Sequence, residues 1–230
     1  MGRTGASADG ALINGILYAV GVGPGDPELL TLKAVKTIKE ADCIACVSSG
    51  GEPGIAYRIA IGAVPEMSDK EILPMDFPMQ EEDLSKAHEK AALLLSMKLE
   101  SGKNVAFLTL GDPGFYSGVS YILDAVKEKG FDVRIVSGIP SFSAASAKLM
   151  IPLATGRESV TISAGEYRKV DGTLVILKAG KNLKSIKQAV SAEGKHAWLV
   201  ENCGMDNERV YKEVGSMPDE AGYFSLMIVK

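Results

Sequence analysis

Near its amino terminus the chain reads Leu17-Tyr-Ala-Val-Gly-Val-Gly-Pro-Gly-Asp-Pro-Glu-Leu-Leu-Thr-Leu-Lys-Ala34. The apolar residues 16–22 predict a buried strand. Residues 27–40 predict an amphipathic helix, with Asp26 as its N-cap and Pro27 at its first position. The spacing of the apolar side chains predicts one buried helix face, made of Leu29, Leu32, Val35 and Ile38. A strand, a glycine-rich loop and a helix in this order are typical of an α/β protein with a parallel sheet.

The rest of the chain predicts two α/β domains. Strand and helix patterns alternate up to about residue 140, with strands at 42–47, 71–75, 104–110 and 132–136 and helices at 55–61, 82–100 and 117–128. After residue 159 short strands dominate, at 159–163, 173–178, 196–200, 208–214 and 223–229, with one clear helix at 182–190. This change predicts a first domain over residues 15–137 and a mixed-sheet domain over 138–230. Residues 1–14 are interpreted as a loose tail or a remnant of expression, and not as a signal peptide.

The composition is that of an ordinary globular protein. The 230 residues are 46% hydrophobic and 23% charged, with a net charge of -4, so neither disorder nor nucleic-acid binding is indicated. The longest apolar runs are well short of the roughly 20 residues of a membrane helix. Three cysteines, without a disulfide framework, favour free thiols in a reducing compartment. We expect a cytoplasmic protein that binds neither nucleic acid nor a membrane.

Two features could suggest a metal site, and neither is convincing. Cys43 and Cys46 form a C-x-x-C motif inside the predicted strand 42–47. Residues three apart on a strand face opposite sides of the sheet, so core thiols are favoured over a zinc or redox pair. His88 and His196 stand alone in the sequence, and neither belongs to a ligand motif. We therefore expect no metal site. Separately, Trp198 is interpreted as a core residue rather than a stacking platform.

Three glycine-bearing loops follow predicted strands. They are Gly21-Val-Gly-Pro-Gly-Asp-Pro27, Thr109-Leu-Gly-Asp-Pro-Gly-Phe-Tyr-Ser117 and Val136-Ser-Gly-Ile-Pro-Ser-Phe-Ser143. The first is a poor dinucleotide fingerprint, because Asp26 stands where the third glycine belongs. Each loop alone could be a structural turn. Three of them at one sheet edge favour a ligand site, since open α/β sheets bind ligands at the carboxyl ends of their strands.

These stretches resemble the tetrapyrrole (corrin/porphyrin) methylase family, over residues 16–230. The stretch from Leu17 to Ala34 is similar to a signature of the whole family. Four further motifs together look like the precorrin-2 C20-methyltransferases: Phe77-Pro-Met79, Val105-Ala-Phe-Leu-Thr-Leu-Gly-Asp-Pro113, Pro140-Ser-Phe-Ser-Ala144 and Tyr223-Phe-Ser-Leu-Met-Ile-Val-Lys230. Two departures stand out: Pro140 replaces a threonine common in that subgroup, and residues 166–171 look shortened.

The resemblance implies the tetrapyrrole methylase fold of class III methyltransferases, with two α/β domains and a cofactor cleft between them. It implies a homodimer that transfers a methyl group from S-adenosylmethionine to C20 of precorrin-2 or cobalt-precorrin-2, in cobalamin biosynthesis, leaving S-adenosylhomocysteine. The residues that it implies at the cofactor are Pro24, Leu110, Gly111, Asp112, Phe115, Tyr116, Ser117, Pro140, Ser141, Phe142, Lys178 and Ala179.

Two of these residues are candidates for a catalytic role. Asp112 is the first candidate for an electrostatic or acid/base part, and Tyr116 for orienting the substrate. The rival roles are that Asp112 holds its loop by accepting backbone hydrogen bonds and that Tyr116 packs. The substrate is a polycarboxylate that requires local cations, and Arg157, Arg168, Lys148, Lys178 and Lys181 could face it. The alternative for each is that it only solvates a surface, as most Lys and Arg side chains do.

Other functions stay open at the level of the sequence. The same superfamily includes methyltransferases acting on other precorrin carbons, diphthine synthase and a ribosomal-RNA ribose methyltransferase. The net charge of -4, without a basic tract, argues against the RNA enzyme. A non-catalytic module that binds S-adenosylmethionine is a further alternative, because a fold does not fix a function.

Overall fold

The computed structural model describes residues 14–49, 51–77 and 81–230. Residues 1–13 of the expected tail, and Pro78 and Met79 of the Phe77-Pro-Met79 motif, lie outside this range. The chain divides into two compact units. Unit 1 comprises the residues up to Gly23 together with Pro27–Ile139, and unit 2 comprises Pro24–Asp26 and Pro140–Lys230.

Unit 1 is built on a sheet that is parallel apart from one short strand. In the described residues its strands are β1 (Ile16–Gly21), β2 (Cys43–Ser49), β3 (Glu52–Pro53), β4 (Glu71–Asp76), β5 (Val105–Thr109) and β6 (Asp132–Val136). Their order is β3-β2-β5-β1-β6, and β4 also pairs with β2. Only β3 pairs antiparallel, among the strands described in this unit. The predicted parallel α/β arrangement is confirmed.

Helices cover both faces of this sheet. They are α1 (Leu32–Glu40), α2 (Ile55–Ala63), α3 (Glu81–Glu100) and α4 (Val119–Glu128). On one face α3 and α4 bury side chains such as Leu95 and Ile122. On the other face α1 and α2 bury side chains such as Ile38 and Ile59. Each such side chain contributes about 1.5–3 kcal/mol through removal from water, and together they hold the three layers in register.

The start of α1 differs from the prediction. Residues Pro27–Leu29 form a separate 3-10 turn, and Thr31, not Asp26, caps the helix. The Thr31 hydroxyl accepts a hydrogen bond of 3.1 Å from the Ala34 amide, as an N-cap does. Because the helix begins one turn later than predicted, Leu32 lies in its first turn and is 89% exposed, so the predicted buried position of Leu32 was wrong.

The C-x-x-C motif occupies both faces of the unit 1 sheet. Cys43 lies in the cluster under α3 and α4, and Cys46 lies in the cluster under α1 and α2. These thiols and that of Cys203 are free and buried. Burial raises the pKa of Cys203 and, together with Glu71, that of Cys43 to about 11. The interpretation as core thiols is confirmed.

Unit 2 contains the mixed sheet that the short strands predict. Its described strands are β7 (Val160–Ala164), β8 (Thr173–Leu177), β9 (Ala197–Glu201), β10 (Arg209–Tyr211) and β11 (Ser225–Val229), in the order β10-β9-β11-β8-β7. The β7 and β8 strands pair in parallel, and the other pairs are antiparallel.

Two helices pack on opposite faces of the second sheet: α5 (Ser141–Leu149) on one and α6 (Leu183–Ala192) on the other. Trp198 is partly buried against the α5 side, as its interpretation as a core residue requires. Among the described residues, no helix combines the length and the apolar composition needed to cross a bilayer.

A charged cluster beside the amino end of β4 predicts a pH-dependent stability. Glu71 accepts hydrogen bonds from Lys98 and from Lys103, the latter at 2.9 Å. These two ammonium groups lower the pKa of Glu71 to about 2. A carboxyl whose pKa is depressed in the folded protein adds stability above its ordinary pKa of 4.5, and this stability is lost as the pH falls toward 2.

We therefore expect Glu71→Gln to lower the free energy of unfolding at pH 7 by about 0.5–1 kcal/mol, the range for ion pairs that water screens. Urea denaturation from pH 7 down to pH 2 measures this loss, and the two proteins should converge at the acid end. A pH-independent difference would contradict the assignment.

One buried hydroxyl predicts a stabilising substitution. Thr173, the first residue of β8, is fully buried, and its Oγ1 has no hydrogen-bond partner among the described residues. Burying an unpaired hydroxyl has a desolvation cost. Thr173→Val keeps the shape and removes the polar atom, so we expect a gain of about 1 kcal/mol in the free energy of unfolding. Urea denaturation tests this, with Thr161→Val on neighbouring β7 as the control.

Candidate functional site

Three glycine-bearing loops of unit 1 meet at one edge of its sheet. The strands β5, β1 and β6 are adjacent and parallel, so their carboxyl ends lie at the same edge. The loops after β1 and β5 are joined by a two-residue bridge. In it the Gly111 amide donates to the Gly23 carbonyl at 2.7 Å, and the Gly23 amide donates back to Gly111 at 3.2 Å. The expected convergence of the loops is therefore present.

The close approach of these loops requires glycine at two positions. A Cβ atom added to Gly138 would lie 2.1 Å from the carbonyl oxygen of Gly111. One added to Gly21 would lie 2.6 Å from the same oxygen. Real Cβ atoms do not approach backbone this closely, so the three loops pack through bare backbone. The result is an edge whose main-chain amides and carbonyls are set close together.

The carboxylate of Asp112 ties two of the loops together. Its Oδ1 accepts a hydrogen bond of 2.7 Å from the Gly114 amide in its own loop. Its Oδ2 accepts one of 2.9 Å from the Gly138 amide in the loop after β6. These two hydrogen bonds are the ones expected if Asp112 holds its loop in place. The cofactor and catalytic roles of Asp112 stay predictions.

The remaining predicted residues of unit 1 continue along the same loop. Leu110 is partly buried against the cluster under α1 and α2. The Ser117 hydroxyl lies 2.9 Å from that of Thr109 and fixes the end of the loop to its strand. Phe115 and Tyr116 are 44% and 52% exposed. The Tyr116 backbone has a φ of 49°, which costs a non-glycine residue about 1–2 kcal/mol. Such strain is found at functional loops more often than elsewhere.

In unit 2 the predicted residue Lys178 stands at the carboxyl end of β8. Its backbone is also left-handed, with a φ of 55°, and its ammonium lies 5.2 Å from the centre of the Tyr223 ring. Ala179 follows it and is fully buried. The next residue, Gly180, packs against the backbone of Ala221. A Cβ atom added to Gly180 would lie 2.3 Å from the carbonyl oxygen of Ala221.

The other predicted residues of unit 2 belong to two further segments. Pro140 stands in the N-cap position of α5, with an extended backbone, and Ser141 is the first helical residue. Phe142 packs on the cluster beneath α5. Pro24 belongs to the short segment 24–26. In that segment, a Cβ on Gly25 would lie 2.5 Å from the Cys203 oxygen.

The sequence reasoning missed the loop after β9. Since β8 and β9 both pair antiparallel with β11, their carboxyl ends share an edge. At the end of β9 Asn202 has a φ of 51°, and the Gly204 amide donates to Glu208 at 2.7 Å. Glu208 also binds Lys148 at 2.7 Å, so this expected substrate cation already has a partner. The glycine after a strand, in Glu201-Asn-Cys-Gly204, is the signal that could have indicated this loop.

A polar pair in unit 1 was also missed. The Ser48 hydroxyl donates to Asp76 at 2.6 Å. These residues are partners in the parallel register of β2 and β4, at the same sheet edge as the glycine-bearing loops. They are 28 residues apart in the chain, and only the strand register brings them together.

The fold and these loops define an α/β protein whose glycine-bearing loops converge at the carboxyl ends of its parallel strands. Comparison with known proteins identifies the family. The chain belongs to the tetrapyrrole (corrin/porphyrin) methylases, whose family model matches residues 16–217. The resemblance and the methyltransferase class expected from the sequence are confirmed.

Individual relatives agree with this family. The chain is 36% identical to a probable cobalt-precorrin-2 C(20)-methyltransferase of Methanocaldococcus jannaschii, over 93% of this chain and 95% of that protein. It is 30% identical to a precorrin-2 C(20)-methyltransferase of Sinorhizobium sp, over 94% and 95%.

Solved structures confirm the predicted fold class. A cobalt precorrin-4 methyltransferase superimposes with a TM-score of 0.72 at 20% identity, covering 93% of this chain and 94% of that one. A uroporphyrin-III C-methyltransferase from Thermus thermophilus, complexed with S-adenosyl homocysteine, gives a TM-score of 0.69 at 23% identity, covering 94% and 92%. At these identities the likeness speaks for the fold alone.

Proposed function

We propose that this chain transfers a methyl group from S-adenosylmethionine to C20 of precorrin-2 or cobalt-precorrin-2, in the biosynthesis of cobalamin. The observation that carries this proposal is the match to two relatives named for this reaction, which are 30% and 36% identical over more than nine tenths of both chains. The convergence of the glycine-bearing loops supports the proposal, since open α/β sheets bind ligands at the carboxyl ends of their strands.

The groups at the carboxyl edge of unit 1 suit S-adenosylmethionine. Its amino acid part carries an ammonium and a carboxylate, which need hydrogen-bond acceptors and donors. On one short loop the Gly111 carbonyl and the Asp112 carboxylate are acceptors, and the Ser117 hydroxyl can donate or accept. No metal is needed for the transfer, and within the described residues no three His, Cys, Asp or Glu side chains are grouped to hold one.

The reaction requires the protein to align the reacting atoms more than to supply an acid or a base. When bound, S-adenosylmethionine would supply a methyl group activated by its sulfonium, whose sulfur would keep the old bonding pair while the substrate supplies the electron pair of the new bond at C20. Residues that hold the loops, above all Asp112, would keep the three reacting atoms in line.

The finer assignments are part of the same proposal. In unit 1 the cofactor contacts would be Leu110, Gly111, Asp112, Phe115, Tyr116 and Ser117. In unit 2 they would be Pro24, Pro140, Ser141, Phe142, Lys178 and Ala179. We further propose that the protein works as a homodimer in the cytoplasm, where its three buried thiols stay reduced.

The proposal is tested by supplying precorrin-2, with and without cobalt, together with a donor labelled in its methyl group. The expected result is one labelled methyl per ring, located at C20 by NMR, with S-adenosylhomocysteine released in equal amount. Label at another carbon would contradict the regiochemistry. Cofactor binding without any S-adenosylhomocysteine would indicate a binding module instead.

A further inference from the structure

Three aromatic side chains contact one another in series in unit 1, and none of them is among the residues assigned above to the cofactor or to catalysis. The Phe77 and His88 rings have their centres 5.4 Å apart and are tilted by 47°. The His88 and Tyr121 rings are also 5.4 Å apart and nearly parallel, at 16°. We refer to Phe77, His88 and Tyr121 as the aromatic stack. It is formed by three different elements, so the sequence pattern alone could not show it.

The aromatic stack lies at the carboxyl edge of the unit 1 sheet, where the glycine-bearing loops meet. Phe77 directly follows β4, whose carboxyl end lies beside that of β2 and so at the same edge as the end of β5. Tyr121 is in the first turn of α4, four residues beyond Ser117 at the end of the β5 loop. His88 is in the second turn of α3, which packs beside α4. The strand ends and the helix starts therefore bring the stack next to the glycine-bearing loops.

The stack is open on its outer side. Phe77 packs on the core cluster beneath α3 and α4, while Tyr121 is 66% exposed. A stack that served stability alone would gain most by burying its outermost ring. Within the described residues, neither the His88 ring nitrogens nor the Tyr121 hydroxyl has a hydrogen-bond partner. Partial burial also lowers the pKa of His88, so its imidazole is neutral at pH 7, with one nitrogen to donate and one to accept.

We propose that the aromatic stack is a platform for the tetrapyrrole ring, with the exposed face of Tyr121 against the macrocycle and His88 bonded to one of its carboxylates. This inference rests on the proposed function for the identity of its ligand. A tetrapyrrole combines a broad, flat, conjugated surface with a rim of carboxylates. Aromatic side chains bind the flat surface by stacking, and a neutral imidazole N–H donates a hydrogen bond to a carboxylate of the rim. Phe77 supports His88 from behind and fixes its orientation.

The first test uses uroporphyrin III as a stable tetrapyrrole probe, added to the wild-type protein without methyl donor. The chain has two histidines, and the second, His196, lies against Trp198 in unit 2. A macrocycle stacked on Tyr121 should shift the imidazole NMR signals of His88 through its ring current. The His196 signals serve as the internal control. Unmoved His88 signals at saturating uroporphyrin III would overturn the inference.

The second test compares substitutions of similar size. Tyr121→Leu and His88→Leu should each weaken uroporphyrin III binding by on the order of tenfold, the range expected for loss of one stacking partner. The matched controls are His196→Leu and Met97→Ala, the latter a 59% exposed apolar side chain further along α3. S-adenosylmethionine affinity, measured by calorimetry, should stay within about twofold in all four variants, because the stack is assigned to the other ligand.

The two tests separate this inference from the proposed function. If wild type binds uroporphyrin III through Tyr121 but methylates no precorrin, the proposed function fails and the platform stands. If wild type methylates C20 and the Tyr121 and His88 variants do so with an unchanged KM for precorrin-2, the platform fails and the function stands. With both correct, the variants raise that KM and leave kcat at saturating substrate nearly unchanged.

Discussion

Gly138→Ala is expected to destabilise unit 1 by about 1–3 kcal/mol and to weaken S-adenosylmethionine binding by tenfold or more. The new Cβ would lie 2.1 Å from the Gly111 oxygen and 2.8 Å from the Gly21 backbone. No flexible side chain is present there to move aside, so one loop must shift. That shift would break the bond from the Gly138 amide to Asp112 and distort the edge where the nucleoside is proposed to bind.

Gly118→Ala is the matched control for this substitution. Gly118 follows the same β5 loop, has an ordinary φ of -66°, and would place its Cβ in open space. We expect it to change stability by less than about 0.5 kcal/mol. Urea denaturation and calorimetric titration with S-adenosylmethionine measure both effects. A Gly138→Ala protein as stable as wild type, with unchanged affinity, would show that the loops do not need their close backbone contact.

The main elements of the fold could be predicted because each is bounded by a local signal. The strand β6 spans the predicted residues 132–136. Its limits could be predicted because Gly130 precedes it and a glycine-bearing loop follows it. The helix α3 is set by a long amphipathic run, and its predicted and observed ends agree within one residue. The domain limits at 15–137 and 138–230 stay predictions.

The errors arise where two local signals compete. Asp26 before Pro27 and Thr31 before Leu32 are both good helix starts. The choice of Thr31 depends on the 3-10 turn at Pro27–Leu29. Pro27 sits against Gly62 of α2, where a Cβ would meet its ring at 2.7 Å. Such a contact between distant segments is absent from any local pattern.

The candidate site was predictable as a set of loops and not as a set of contacts. Glycines after strands indicate an edge where ligands bind, which is why the three loops could be singled out. The pairing of Asp112 with Gly138, of Ser48 with Asp76, and the aromatic stack depend on strand register and helix packing. The sequence contains the side chains but not the distances between them.

Asp112→Asn is expected to weaken S-adenosylmethionine binding by about tenfold while lowering kcat at saturating cofactor by less than that. The carboxylate accepts from two backbone amides, at 2.7 Å from Gly114 and 2.9 Å from Gly138. An asparagine has one acceptor oxygen, and its NH2 group would face the second amide without bonding to it. The loops would stay close but less firmly joined, so the loss should appear mainly in cofactor affinity.

The split between affinity and turnover decides between the two roles of Asp112. A loop-holding residue acts on how well the site is formed, and saturating cofactor restores most of the rate. A residue that acts on the reacting atoms would lower kcat even when the cofactor is saturating, and would leave the dissociation constant nearly unchanged. Calorimetry and steady-state methyl transfer give both quantities.

Asp124→Asn is the matched control. Asp124 is an exposed carboxylate on α4, 4.0 Å from Lys127. Its substitution changes the net charge equally and does not touch the glycine-bearing loops. A drop in kcat confined to Asp112→Asn would assign this residue to the chemistry, since the charge change is shared by both variants.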